Sequence, residues 1–382
     1  MKRVGCLILA LGLLLGTVFM NVAAVDLQVE AKSALLMDVA TGKVLFEQDA
    51  HTPLPPASVT KVMTMLLVME ALDQGKLQWE DTVTASDTAA AKGGSQIYLK
   101  AGETMTVADM LKSVAVSSAN DCACALAEHI AGSEAAFVEQ MNRRAGELGM
   151  KNTKFVNCTG LDDDPAAKEH MTSAYDIALM SRELLKYHPQ IKKYTTIWMD
   201  TVRGGSFGLS NTNKLVRFYN GATGLKTGFT SGAGYCLSAS AEREGLELIA
   251  VVMGCESSAK RFAACKSMLD HGFANYALIQ PEAPEAAFVP VKLGQKEQVR
   301  AIPSQPEPLL VDKGQRNAIT TQVELEEEVA APVRSGQRLG TMTICAGEQI
   351  LAQIPMVAEE PVERLTFGDL FGILIKALTG AA

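Results

Sequence analysis

The feature that most constrains this chain is a short helix start that carries a serine and a lysine three residues apart. Residues 56–61 read Pro-Ala-Ser-Val-Thr-Lys and open an apolar run that continues to Leu72. On a helix, Ser58 and Lys61 lie one above the other on the same face. A serine becomes a good nucleophile when a neighbouring base takes its proton, and lysine can be that base if its pKa is lowered. The pair predicts a nucleophile beside its base.

This spacing alone does not establish a site, because short motifs recur by chance. Ser257 and Lys260 have the same spacing, but they follow a strand-like segment, residues 248–253, and do not open an apolar helix. The alternative interpretation makes Ser58 a helix-capping residue and Lys61 a solvated side chain.

Two further motifs favour the catalytic interpretation. Ser118-Ala119-Asn120 interrupts a helical pattern, and Lys226-Thr227-Gly228 begins a predicted strand. The order Ser-x-x-Lys, Ser-x-Asn, Lys-Thr-Gly is the signature of penicillin-binding proteins and class A β-lactamases. Three motifs in this order and context are far more specific than any one of them.

Neighbouring segments narrow the match. Residues 117–121, 125–128, 137–142, 148–153 and 224–230 closely resemble the low-molecular-mass D-alanyl-D-alanine carboxypeptidases, and the resemblance runs from about residue 28 to 278 and more loosely beyond. It implies an α/β (α+β) fold, in which a β-lactamase/transpeptidase-like domain of antiparallel sheet plus helical cluster precedes a small β-rich domain.

The resemblance also implies roles for individual residues. The expected catalytic residues are Ser58, Lys61, Ser118 and Asn120, and the expected substrate-binding residues are Lys226, Thr227, Gly228, Thr230 and Arg261. Ser118 would protonate the leaving nitrogen and Asn120 would hold Lys61 or the substrate amide. The Lys226 ammonium would lower the pKa of Lys61 and attract a carboxylate, with Arg261 at the carboxylate end. Backbone N–H groups of Ser58 and of the strand near Phe229 would form the oxyanion hole.

The implied reaction removes the terminal D-alanine from peptidoglycan stem peptides through an acyl-enzyme on Ser58, without metal or organic cofactor. β-Lactam antibiotics should acylate the same serine. Thr212 stands where some members carry a second arginine, so carboxylate recognition differs in detail.

Several alternatives stay open. A β-lactamase is disfavoured because class A enzymes use an added glutamate, and no Glu-x-x-x-Asn occurs between residues 118 and 226. A catalytically silent wall-binding scaffold would keep the fold without the chemistry. A Ser58-His170-Asp176 triad is disfavoured, since Ser58 already has a lysine partner. Residues 92–96 form either the cleft rim or a plain surface turn.

Composition limits the remaining functions. With 382 residues, the chain is long enough for about two domains. Its 48% hydrophobic and 20% charged content is that of a folded protein. The net charge of −8 disfavours nucleic acid as a partner, because phosphate binding requires a basic face.

The ends of the chain indicate export. Lys2-Arg3, an apolar run and Val22-Ala23-Ala24 predict a cleaved signal peptide at 1–24, with an uncleaved membrane helix as the alternative. The predicted catalytic domain is 25–279, the linker 280–290 and the β-rich domain 291–358. Residues 359–382 are predicted to form an amphipathic helix that lies on the outer face of the cytoplasmic membrane, or alternatively docks on the protein itself. Its apolar face consists of Phe367, Leu370, Phe371, Leu374 and Leu378.

Seven cysteines follow the predicted signal peptide, so at least one thiol is unpaired unless two chains are joined. No Cys-x-x-Cys pair occurs and the five histidines are scattered, so no zinc site is predicted. Cys122 and Cys124 are interpreted as small apolar helix residues. The disulfide state is left open.

Overall fold

The computed structural model describes residues 27–163, 165–281 and 287–379. The predicted signal peptide, residues 1–24, lies outside this part of the chain.

The elements alternate between strands and helices in the first two thirds and are mainly strands thereafter. The strands are β1 Ser33–Asp38, β2 Val44–Gln48, β3 Thr82–Thr84, β4 Thr104–Thr106, β5 Met199–Val202, β6 Phe207–Ser210, β7 Ala222–Thr230, β8 Gly234–Arg243, β9 Leu246–Cys255, β10 Tyr276–Ile279, β11 Phe288–Lys292, β12 Gln298–Pro303, β13 Leu309–Asp312, β14 Ile319–Leu325, β15 Val329–Ala330, β16 Arg338–Ala346 and β17 Gln349–Ala358. The helices are α1 Lys61–Asp73, α2 Asp87–Ala90, α3 Val107–Ser117, α4 Asn120–Ala131, α5 Glu134–Glu147, α6 Ala174–Tyr187, α7 Lys192–Thr195, α8 Leu215–Phe218, α9 Ser258–Asn275 and α10 Phe367–Thr379.

The central sheet has five antiparallel strands in the order β2-β1-β9-β8-β7. Side chains alternate between its faces. Leu35 and Met37 join the core shared with α1 and α6, whereas Ala34 and Leu36 join the core beneath α9. Because both faces are covered, β1 is buried along its whole length. The predicted combination of antiparallel sheet and helical cluster is confirmed.

Helix α1 is the centre of the helical cluster. Ten of its thirteen residues are buried, and apolar side chains surround it on all sides. A helix that is apolar all round is stable only inside a core. A short 3₁₀ turn, Ala57–Thr60, leads into α1 and carries Ser58 to the edge of the central sheet beside β7.

The C-terminal third forms a second, six-stranded sheet in the order β14-β16-β17-β12-β11-β15, with its own apolar core. The strands β10 and β13 pair with each other and connect the two parts of the molecule. The strand β11 begins at Phe288, inside the range predicted as a linker. Val289 is fully buried in the second core, which explains why this Pro-rich segment is ordered as a strand.

The last helix, α10, exposes most of its large apolar side chains. Phe367 is 84% exposed and Leu378 is 78% exposed. In the described residues no helix has the length and apolar character required to cross a membrane.

Candidate active site

The first motif places its two side chains in direct contact. Lys61 Nζ donates to Ser58 Oγ over 2.9 Å and to the Thr159 carbonyl over 2.8 Å. Lys61 is completely buried, whereas Ser58 is partly exposed. The ammonium or amine is therefore fixed at the serine, and the serine remains accessible from outside.

Burial sets the electrostatics of this pair. It lowers the pKa of Lys61 to about 7, although the negative charge of Asp121 and the neighbouring Cys158 thiol act in the opposite direction. Burial also lowers the pKa of Lys226, and the positive charges of Lys61 and Arg261 lower it further. From the sequence, either burial or the nearby Lys226 ammonium could lower the pKa of Lys61. In the structure the main cause is loss of hydration around Lys61 itself.

The segment 157–161 holds Lys61 in place. The Thr159 carbonyl accepts from Lys61, and the Cys158 carbonyl accepts from Thr64 Oγ1 over 2.7 Å. Gly160 has a φ of +81°, and a Cβ there would lie 1.8 Å from the Ala57 carbonyl oxygen. Only glycine permits this close approach. The sequence did not predict the role of the Thr159 carbonyl, because a backbone acceptor requires no particular side chain.

The second motif lies between two helices, as predicted. Ser118 follows α3 with a left-handed backbone, φ 63° and ψ 28°, and is buried. A non-glycine residue in this region carries backbone strain, which is common at functional sites. Asn120 begins α4; its side-chain Nδ2 donates to the Gly93 carbonyl over 2.7 Å. Its Oδ1 is buried without a partner among the described residues, so this acceptor is available. Lys61, one of the two partners expected for Asn120, donates instead to the Thr159 carbonyl.

Residues 92–96 pack against the second motif. The Ser95 carbonyl accepts from Asn120 N over 2.7 Å, alongside the Gly93 contact. Asp121 fixes the continuation of this loop by accepting from the backbone of Ile97 and Leu99. Of the two interpretations offered by the sequence, the cleft rim is therefore favoured. The sequence analysis did not identify Asp121 as a positioning residue. An acid directly after Ser-x-Asn in an apolar helical pattern indicates a carboxylate that is buried and therefore hydrogen-bonded.

The third motif lies on β7 and touches the nucleophile turn. A Cβ on Gly228 would lie 2.6 Å from the Pro56 carbonyl oxygen and 3.1 Å from Ser58 N, so glycine is required for this contact. Lys226 and Thr227 are buried beside it. Thr227 Oγ1 donates to Thr212 Oγ1 over 2.6 Å, which ties the motif to the residue that replaces the family arginine.

Two of the predicted substrate-binding residues contact the protein backbone. Thr230 Oγ1 accepts from Ala233 N over 3.1 Å in the turn after β7. Arg261, on α9, donates from Nη1 to the Gly228 carbonyl over 2.9 Å and lies against the ring of Tyr235. It is buried, and its Nε has no partner in the described residues. In this geometry Arg261 supports the third motif from beneath.

His170 has a structural environment. Its Nε2 lies 2.8 Å from Thr60 Oγ1, and its Nδ1 accepts from Val156 N over 3.1 Å. Burial lowers the pKa of His170 to about 4, with Lys61 adding to the effect. Asp176 instead accepts from Asn152 N and Thr153 Oγ1. The Ser-His-Asp arrangement is therefore absent from this site, as the sequence analysis favoured.

Comparisons with known proteins agree with this geometry. The family model described as D-alanyl-D-alanine carboxypeptidase matches residues 20–257, and the model of the penicillin-binding protein 5 C-terminal domain matches residues 283–364. D-alanyl-D-alanine carboxypeptidase DacF of Bacillus subtilis is 43% identical over 90% of this chain and 88% of its own length.

Solved structures give the same result. Penicillin-binding protein 5 from Haemophilus influenzae superposes with a TM-score of 0.74 at 32% identity, covering 88% of this chain and 98% of that protein. Penicillin-binding protein D2 from Listeria monocytogenes, solved in the ampicillin-bound form, gives a TM-score of 0.57 at 34% identity, covering 65% of this chain and 99% of that protein. The chain belongs to the D-alanyl-D-alanine carboxypeptidase family of serine peptidases.

Proposed function

We propose that this chain removes the terminal D-alanine from peptidoglycan stem peptides, with Ser58 as nucleophile and neutral Lys61 as its base. The observation that carries the proposal is the 2.9 Å contact between Lys61 Nζ and Ser58 Oγ in a site where burial lowers the lysine pKa to about 7. Near neutral pH, a substantial fraction of such a lysine is uncharged and can accept the serine proton.

The acylation step forms one bond and breaks another. Ser58 Oγ bonds to the carbonyl carbon of the penultimate D-alanine, and the bond from that carbon to the nitrogen of the last D-alanine breaks. The proton taken by Lys61 reaches the leaving nitrogen through the Ser118 hydroxyl. Water then attacks the ester, releases the shortened peptide and restores Ser58.

The second motif supports substrate alignment. The Asn120 Oδ1 is a buried acceptor without a protein partner in the described structure, and leaving such an atom unpaired costs free energy. An amide N–H of the bound peptide satisfies it. The Gly93 carbonyl holds the other end of the same side chain, so its orientation is fixed before substrate binds.

The third motif supports recognition of the negatively charged end. Lys226 supplies an N–H donor and Thr227 a hydroxyl, while Arg261 adds positive potential from beneath Gly228. Thr230 is assigned to the substrate-facing end of β7. The backbone N–H of Ser58 and that of Phe229 are assigned to the oxyanion hole, because Gly228 brings this strand to within contact of Ser58 N.

The test is release of free D-alanine from diacetyl-lysyl-D-alanyl-D-alanine by the mature chain and by Ser58→Ala in parallel. Release by the first and not by the second supports the carboxypeptidase. Absence of release by either, together with penicillin labelling of Ser58, would point to another acyl acceptor or a narrower substrate. Absence of both release and labelling would contradict the proposal and favour the scaffold.

β-Lactams are the expected inhibitors. A β-lactam resembles the acyl-D-alanyl-D-alanine end and presents a reactive carbonyl at the position of the scissile bond. We expect stable acylation of Ser58, as opposed to rapid turnover. Fast hydrolysis of nitrocefin would instead favour the β-lactamase interpretation.

We also propose that the protein acts outside the cytoplasm and is held at the membrane surface by α10. The exposed apolar side chains of Phe367, Phe371 and Leu374 suit the boundary between lipid headgroups and acyl chains. Flotation with vesicles that contain phosphatidylglycerol tests this. The chain should float, and a chain ending at residue 365 should not; equal flotation of both would contradict the tether.

A further inference from the structure

Three side chains from distant parts of the sequence meet just behind the active site. They are Cys124 on α4, Glu134 in the first turn of α5, and Cys158 in the segment that holds Lys61. One ligand atom from each lies within 4.8 Å of the other two. Both cysteines are fully buried, and Glu134 is partly buried.

The carboxylate contacts both sulfurs. Glu134 Oε1 lies 3.2 Å from Cys158 Sγ, and Oε2 lies 3.9 Å from Cys124 Sγ. A fourth ligand atom is available from Glu128, whose Oε1 lies 3.8 Å from Cys124 Sγ. Two thiolates with one or two carboxylate oxygens are ligands that zinc accepts in tetrahedral sites.

The surroundings already orient the carboxylate. Lys92 Nζ lies 2.6 Å from Glu134 Oε2, and Cys158 N donates to Oε1 over 3.2 Å. Hydrogen bonds of this type hold ligating carboxylates in metalloproteins. The positive charge of Lys92 neutralises the Glu134 carboxylate. Replacing two thiol protons by a divalent cation leaves the net charge of the cluster unchanged, because two positive charges leave as protons and two arrive with the ion.

An access route is present. A cavity of about 520 Å³ opens beside the cluster and is lined by Lys92, Glu134, Asn157 and Thr159 among others. An ion can therefore reach the partly buried carboxylate without unfolding of the core.

We propose that Cys124, Glu134 and Cys158 bind one divalent cation of the zinc class, with Glu128 or a water as fourth ligand. Binding replaces the protons of the two thiols, so two protons are released for each ion bound and no electron is transferred. This inference does not depend on the proposed function, since its readout is metal binding.

The position of the site gives it a structural consequence. Cys124 lies one helical turn after Asn120, and Cys158 precedes the carbonyl that accepts from Lys61. A bound ion joins the second motif to the segment that fixes the catalytic lysine. A disulfide would also join these elements, but it leaves unexplained a carboxylate placed against both sulfurs. The absence of a zinc site expected from the sequence is revised here, because the ligands of the proposed site come from three separate segments without a Cys-x-x-Cys pair.

The test uses the reduced, metal-free mature chain titrated with Co²⁺, followed by displacement with Zn²⁺. We expect thiolate-to-cobalt absorption in the near ultraviolet that saturates at one equivalent and is lost on adding zinc. Cys124→Ser and Cys158→Ser should lose this absorption. Cys265→Ser is the matched control and should keep the absorption. Cys265 is also a buried cysteine, but it lies on α9, where its Sγ contacts the Ala250 carbonyl of the central sheet.

A further variant separates the loss of a metal ligand from misfolding caused by the serine substitutions. Glu134→Gln keeps the shape of a partly exposed side chain and should weaken metal affinity by about tenfold or more. Penicillin labelling and circular dichroism report the fold of every variant. Absence of the cobalt absorption in the wild type, its survival in both cysteine variants, or unchanged affinity in Glu134→Gln would overturn the proposal. Isolation of the chain with Cys124 and Cys158 joined as a disulfide would overturn it too.

Discussion

Two pairs in this molecule share the Ser-x-x-Lys spacing but have opposite environments. Lys61 is buried, bonds to Ser58 Oγ over 2.9 Å, and burial lowers its pKa to about 7. Lys260 lies at the surface, and the carboxylates of Glu256 and Glu30 raise its pKa. Ser257 caps α9 by accepting from Lys260 N over 3.2 Å.

The difference shows which part of the motif carries chemistry. Identical spacing produces a helix cap with a solvated cation in one place and a nucleophile with its base in the other. Loss of hydration around the amine separates the two, and the protein achieves it by starting a largely buried helix at Lys61, which is itself completely buried.

The largest expected contrast comes from removing each serine. Ser58→Ala should lower acylation by a fluorescent penicillin about 10⁴-fold or more, because no other group supplies the nucleophile. Ser257→Ala should label at the wild-type rate. Labelling of the Ser58→Ala variant, or loss of labelling in the Ser257→Ala variant, would contradict the assignment of Ser58 as nucleophile and Ser257 as helix cap. Mass spectrometry of the labelled peptide identifies the serine.

Removing each lysine is expected to give the next largest contrast. Lys61→Met keeps most of the length of the side chain without a base and should slow acylation about 10²–10⁴-fold. Lys260→Met should have no effect on the rate. The measurement is the second-order acylation rate constant, with thermal unfolding to confirm that both variants fold.

The pH dependence of the acylation rate constant also distinguishes Lys61 from Lys260. Since the neutral form of Lys61 is the base, the acylation rate constant should fall about tenfold per pH unit below pH 7 and level off above it. A lysine like Lys260 would not produce a plateau until far higher pH. A rate that does not change between pH 5.5 and 7 would contradict a base of this pKa.

His170 offers a stability test of the same burial argument. Its folded pKa of about 4 lies below the unfolded value of 6.5, so the unfolded chain binds the proton first as pH falls. Stability should therefore decrease between pH 6.5 and 4, by up to about 3 kcal/mol.

The matched variant is His170→Asn, which retains an acceptor for Val156 N. It should be less stable than wild type by about 1–3 kcal/mol at pH 7. The difference should shrink as the pH approaches 4, and urea unfolding at both pH values measures it. A difference that is constant with pH would show that His170 is not buried in the neutral form.

The smallest effect concerns the helix cap. Ser257→Ala removes the oxygen that accepts from Lys260 N and should cost about 1 kcal/mol of stability without changing D-alanine release. Chemical denaturation measures the first and the peptide assay the second. A loss of activity would mean that this end of α9 influences the site through Arg261.

The sequence predicted what residue types and their periodicity encode. The three motifs, the break between α3 and α4 at Ser118, and the strand-like segment 248–253 within β9 all follow from local patterns. The antiparallel sheet beside a helical cluster came from the resemblance and is confirmed by the fold and by the relatives.

Contacts between distant segments could not be predicted. The Thr159 carbonyl holds Lys61 across 98 positions, and a backbone oxygen has no sequence signal. Arg261 is predicted at the substrate carboxylate, and its Nη1 also donates to the Gly228 carbonyl, a contact that forms only once α9 packs against β8 and β9. Cys124, Glu134 and Cys158 likewise meet only once α4, α5 and the 157–161 segment are packed together.

Burial makes Lys61 a base, whereas exposure leaves Lys260 an ordinary cation. This difference is tested most directly by NMR titration of the chain labelled at its lysine side chains, with Lys61→Arg and Lys260→Arg used to assign the two signals. We expect a pKa of about 7 for Lys61 and one above the ordinary value of 10.5 for Lys260. A Lys61 that titrates at or above 10.5 would contradict it.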